Sequence, residues 1–111
     1  MYQSRISKIQ AQLQADDVAA MALLPGPNLL YLSGMHTHMS ERPIVMIVPA
    51  KGDPRIVIPL LEAPKAARAG MAESDIFAWG DGDGFTHAFA ELAEVLQLKN
   101  AKIGVESLYM R

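Results

Sequence analysis

His36-Thr37-His38 brings together two of the three histidines of this chain, and a spacing of two sets both imidazoles on one side of an extended segment. Such a pair can grip a metal ion if a third ligand joins it, and Glu41 and His87 are the candidates for that position. Nothing in the spacing chooses between them. Arg42 lies in the same stretch, where the following Pro43 biases it towards extended geometry. A guanidinium held there can take a carboxylate through two parallel hydrogen bonds. Its plainer role is an ion pair with Glu41 or another acid at the end of a sheet. Met35 and Met39 in the same loop suit either packing or a contact surface.

The other chemistry the chain could carry falls away on inspection. Gly80-Asp81-Gly82-Asp83-Gly84 lies between a strand pattern and a helix pattern, the setting of a phosphate-cradling turn. The dinucleotide fingerprint needs two residues between its second and third glycines, and Asp81 and Asp83 would repel a pyrophosphate. Those acids suit the positive end of the following helix instead. A calcium loop fails as well, because Leu92 stands where a bidentate Glu is needed. No Gly-x-Ser-x-Gly turn is present, and the acids are spread one or two at a time. With no cysteine, thiolate metal sites, disulfides and thiol nucleophiles are excluded. We therefore expect no catalytic residue and no metal site within this chain.

The elements that must position the histidine loop follow from length and periodicity. At 111 residues, half of them apolar, the chain is one domain's worth and can bury a core without metal or disulfide. Ten Lys and Arg interspersed with twelve Asp and Glu give a net charge of −2, which argues against nucleic acid as a partner. The polar, amphipathic first ten residues do not read as a signal peptide, and no apolar run approaches the ~18 residues of a membrane span. Together with the missing cysteines, these features predict a cytoplasmic protein without membrane contact.

Tyr2, Ile6, Ile9 and Leu13 recur at helical steps, predicting a helix over residues 2–14. The unbroken apolar run 18–24, bounded by Pro25-Gly26-Pro27, predicts a buried strand. Pro27 can open a short helix that Gly34 ends, and 35–41 has no period and reads as a loop. Residues 44–48 predict a strand covered on both faces, 55–60 its antiparallel hairpin partner, with Pro59 at a strand end or edge. A short helix over 62–69 stops at Gly70, and 75–79 is a strand. From Phe85, the spacing of Ala88, Phe89, Leu92, Val95 and Leu96 predicts a helix of about fourteen residues. A last strand covers 102–106. This order implies an α/β fold: a mixed five-stranded sheet with an inserted antiparallel hairpin and flanking helices. Only Ser107-Leu108-Tyr109-Met110-Arg111 follow the last strand, so residues 1–111 read as a single domain truncated at its C-terminus.

The run 18–24 followed by Pro27-Asn28-Leu29-Leu30-Tyr31-Leu32-Ser33-Gly34, then Glu41-Arg42-Pro43 entering an apolar strand, resembles the N-terminal domain of the creatinase, prolidase and aminopeptidase P family. Pro59-Leu60-Leu61-Glu62-Ala63, Trp79-Gly80-Asp81-Gly82-Asp83 and Ile103-Gly104-Val105-Glu106 occur in the same order as in that domain, most like a Xaa-Pro dipeptidase. The resemblance implies a ribonuclease H-like α/β domain preceding a pita-bread catalytic domain, absent from this chain. That second domain is expected to hold two divalent ions, manganese, cobalt or zinc, on Asp, His and Glu. The resemblance also implies a homodimer in which the loop before the second strand reaches the partner's active site. Carried onto this sequence, the loop makes His38 and Arg42, with His36 behind them, the candidates for contact with a short proline-containing peptide. Family membership does not fix chemistry. The alternatives are a protein-interaction module of the same fold and the N-terminal domain of a creatinase-type amidinohydrolase.

Overall fold

The computed structural model describes residues 2–36, 44–80, 85–98 and 101–105. In chain order the elements are α1 (Gln3–Ala15), β1 (Ala20–Leu23), α2 (Pro27–Ser33), β2 (Val45–Pro49), β3 (Arg55–Pro59), α3 (Ala63–Arg68), β4 (Ile76–Trp79), α4 (Phe85–Val95) and β5 (Ile103–Val105). The five strands form one sheet in the order β4-β3-β2-β1-β5. β2 pairs antiparallel with both β1 and β3, so the expected hairpin is present, with Val45 opposite Val57 and Met46 opposite Ile56. The pairs β3–β4 and β1–β5 are parallel, which requires crossovers, and α3 and α4 supply them. The sheet is therefore mixed, as its sequence pattern implies.

Alternation along β2 and β3 assigns the two faces. Met46, Val48, Ile56 and Ile58 point to one side, where they pack with Ile6 and Leu13 of α1, Leu29 and Leu32 of α2 and Ala66 of α3. Ile47 and Val57 point to the other, where they meet Trp79 of β4 and Ala88 and Leu92 of α4. Both strands are buried on both sides, which explains their lack of a polar stripe.

Local departures from the sequence expectation each have a cause. Tyr2 stands outside α1 as its N-cap and is 47% exposed, so the core stripe is carried by Ile6 and Leu13, with Ile9 partly covered. Asp17 at φ 56° turns the chain out of α1, and the Val18 N–H bonds to the Leu13 carbonyl at 2.9 Å. The strand predicted to reach residue 60 stops at Pro59, whose ring leaves no N–H to extend a ladder. Leu60–Glu62 forms a 3₁₀ turn instead and leaves Leu61 82% exposed. The helix predicted at about fourteen residues from its periodicity runs for 11, because Gln97 at φ 56° reverses the chain. Val95, expected on its core stripe, is 56% exposed.

Candidate functional site

The foot of the histidine loop is built by α2. Pro27 occupies the first turn, where its missing donor costs nothing, and Gly34 ends the helix at φ 79°, a left-handed conformation that suits glycine. The Gly34 N–H reaches the Leu30 carbonyl at 2.8 Å. Ser33 is buried, its hydroxyl donating to the Leu29 carbonyl at 2.6 Å and accepting from the Met35 N–H at 3.1 Å. Met35 is buried in the core between the sheet and the helices, so it packs and does not offer a contact surface. His36 follows immediately and is exposed.

Of the three residues predicted to face a substrate, His36 is thus at the surface, while His38 and Arg42 lie outside the described residues, as do Thr37, Met39, Glu41 and Pro43. His36 lines an open cleft of about 300 Å³ with Gly34, Met35, Lys65, Arg68 and Ala69. The Lys65 Nζ is 3.2 Å from Glu62 Oε1, and Arg68 is exposed with no acid paired to it among the described residues. The cleft therefore carries a net positive charge beside an imidazole, chemistry that suits a carboxylate. Lys65 and Arg68 also complement the negative end of α3. Neither residue is marked as a site residue by the sequence pattern. Their spacing of three on a helix ended by Gly70 marks one helix face, but only folding brings that face to His36.

His87 does not join His36. Its Nε2 lies 2.8 Å from Glu91 Oε1 one turn further along α4, and α4 packs on the sheet face opposite α2. That removes His87 as a third ligand for the histidine pair. Among the described residues no group of three or more His, Asp or Glu side chains is placed to hold a metal ion. Gly80 follows β4 with open space where a Cβ would stand, and the rest of its acidic turn, 81–84, lies outside the described residues. No described helix is long and apolar enough to cross a membrane.

Comparison with known proteins places this geometry in context. The family model described as the creatinase/prolidase N-terminal domain matches residues 5–111. A probable dipeptidase, PepE, of Mycobacterium tuberculosis is 31% identical over 85 residues, covering 75% of this chain but 23% of that protein. Among solved structures, the dipeptidase of Pyrococcus horikoshii OT3 superposes with a TM-score of 0.78 at 28% identity, over 96% of this chain and 29% of its own. The N-terminal domain of a Xaa-Pro dipeptidase from Lactobacillus brevis has a TM-score of 0.80 at 18% identity, over 96% of this chain and 79% of that one, a likeness of fold alone. The chain spans under a quarter of the length of the curated relatives it matches.

Proposed function

Because this chain belongs to the creatinase/prolidase N-terminal domain family, we propose that it is the noncatalytic lobe of a Xaa-Pro dipeptidase-type metallopeptidase and restricts access to chemistry housed on a second lobe. The observation that carries this reading is one of proportion. Nearly all of the chain, 96%, superposes on a dipeptidase of which it makes up 29%, so the greater part of such an enzyme lies elsewhere. The cationic cleft formed by His36, Lys65 and Arg68 supports it further, since a short peptide presents a free carboxylate close to its scissile bond.

In this reading the reaction is peptide hydrolysis by a metal-activated water, with two divalent ions held by Asp, His and Glu of the second lobe. Two copies associate through lobes such as this one, so that His36, His38 and Arg42 of one copy face the pocket of the other. The setting is the cytoplasm, where a cysteine-free chain loses nothing.

The test is kinetic. The 111-residue chain alone turns over no dipeptide. In the full-length protein Arg42→Ala raises KM for Xaa-Pro dipeptides by about tenfold, the loss of one charge-assisted contact. Turnover by the isolated chain overturns the proposal, as do unchanged kinetics on every short substrate in both Arg42→Ala and His38→Ala.

A further inference from the structure

A helix leaves its last four carbonyls without intrahelical partners, and α2 has an unusual way of satisfying them. The Leu30 carbonyl takes the Gly34 N–H at 2.8 Å, an ordinary helix ending. The next two are served from the start of α1: the Tyr31 carbonyl accepts from Arg5 Nη1 at 2.7 Å, and the Leu32 carbonyl from the Tyr2 N–H at 3.1 Å. Arg5 is fixed in place from both sides, its guanidinium carbon 4.3 Å from the centroid of the Tyr2 ring and 4.2 Å from that of Tyr31. The Tyr2 ring also closes over the chain exit, since a Cβ built on Gly34 would meet it at 3.4 Å.

One surface side chain therefore joins the beginning of α1 to the last turn of α2, at Tyr31, five residues before His36. Tyr2 and Tyr31 are each about half exposed, so this stack buries little apolar area and does little for the core. Its geometric effect is larger than its packing effect. A planar guanidinium pinned between two rings and bonded to a carbonyl fixes the direction in which α2 hands the chain to Gly34 and His36.

Resting on the substrate-facing reading of His36, we infer that Arg5 is a positioning residue: it acts on substrate affinity through His36 by holding the end of α2 against the start of α1. In the full-length protein, Arg5→Ala raises KM for short Xaa-Pro peptides about tenfold and leaves kcat within about twofold, as expected for lost ground-state positioning. Arg5→Lys, which keeps the charge but loses the planar stack, falls between the two. In a His36→Ala background Arg5→Ala adds less than about twofold, because the two residues act through one path. A full Arg5 effect in both backgrounds, or a loss confined to kcat, overturns the inference.

A second measurement separates this inference from the reading it rests on. If His36→Ala alone leaves kinetics unchanged, the substrate-facing reading has failed, and amide exchange in the 111-residue chain decides the positioning role. Arg5→Ala should then speed exchange of the Gly34 and Met35 amides about tenfold while those of β2 and β3 keep their protection. Unchanged exchange at both amides overturns it.

Discussion

The two faces of the sheet are built on different plans. On one, α1 and α2 lay Ile6, Leu13, Leu29 and Leu32, with Ala66 of α3 beside them, over Met21, Leu23, Met46, Val48, Ile56 and Ile58, all of them completely buried. On the other, the described cover is one helix, α4, and the chain just after it, and the buried set is Ala20, Ile47, Val57, Trp79, Ala88, Leu92 and Leu98. The first face has interlocking side chains that leave little freedom, and it carries α2 and the exposed His36. The second sets two alanines, Ala20 and Ala88, among its larger side chains, and leaves Val95 and Ile103 56% and 41% exposed at its margins. The candidate site is mounted on the face with the three-helix cover, which we expect to resist displacement better, as a geometry-dependent site requires.

Truncating matched leucines is the sharpest way to break this comparison. Leu32 and Leu92 are both fully buried, one on each face. We expect Leu32→Ala to cost about 4 kcal/mol, because the helices around it are tied together and cannot collapse into the cavity. Leu92→Ala should cost about 2 to 3 kcal/mol, since α4 can shift towards the sheet. Urea unfolding midpoints measure both, and equal losses would show that the faces are equally rigid.

A smaller effect is expected at the rim the two faces share. Arg55 Nε lies 2.9 Å from Asp75 Oδ1, joining the start of β3 to the turn before β4, with side chains 20% and 13% exposed. Arg55 also donates to the Asp53 carbonyl, but its buried Nε has no well-aligned acceptor, so the pair is a close charge contact more than a good hydrogen bond. Asp75→Asn should cost about 1 to 2 kcal/mol, and the loss should shrink little in high salt because the pair is mostly shielded from solvent. A loss that vanishes in salt would mark the pair as a surface one. The smallest effect belongs to His87→Ala. Its pair with Glu91 is 72% and 56% exposed, so stability should change by no more than about 0.5 kcal/mol. A larger change would mean that α4 depends on its outer surface.

What the sequence revealed of these plans depended on the range of the interaction involved. Element order was readable because period and punctuation are local: Pro27 and Gly34 bound α2, and the apolar runs around residues 49–54 form the hairpin. Which apolar residue ends up covered was less readable. Tyr2, Leu60, Leu61 and Val95 look like core by type or spacing, yet stand exposed because the neighbouring element turns away at a cap, a proline or a left-handed residue. Of the residues the sequence proposes for the site, His36 is the one among the described residues, and it is exposed. Lys65 and Arg68 come to it through tertiary packing, and Arg5 meets Tyr31 across 26 positions, a contact no local pattern encodes.

The strand order also governs how this chain can fold in time. β1 acquires one neighbour early, from β2, but its other edge waits for β5, with Ala20 meeting Ile103 at the far end of the sequence. Closing so long a span carries a loop-entropy cost before any contact rewards it, so we expect this pairing to be the slow step. Until it forms, a growing polypeptide presents the bare flank of an apolar strand, and that interval is when association with another unfinished copy competes with completion.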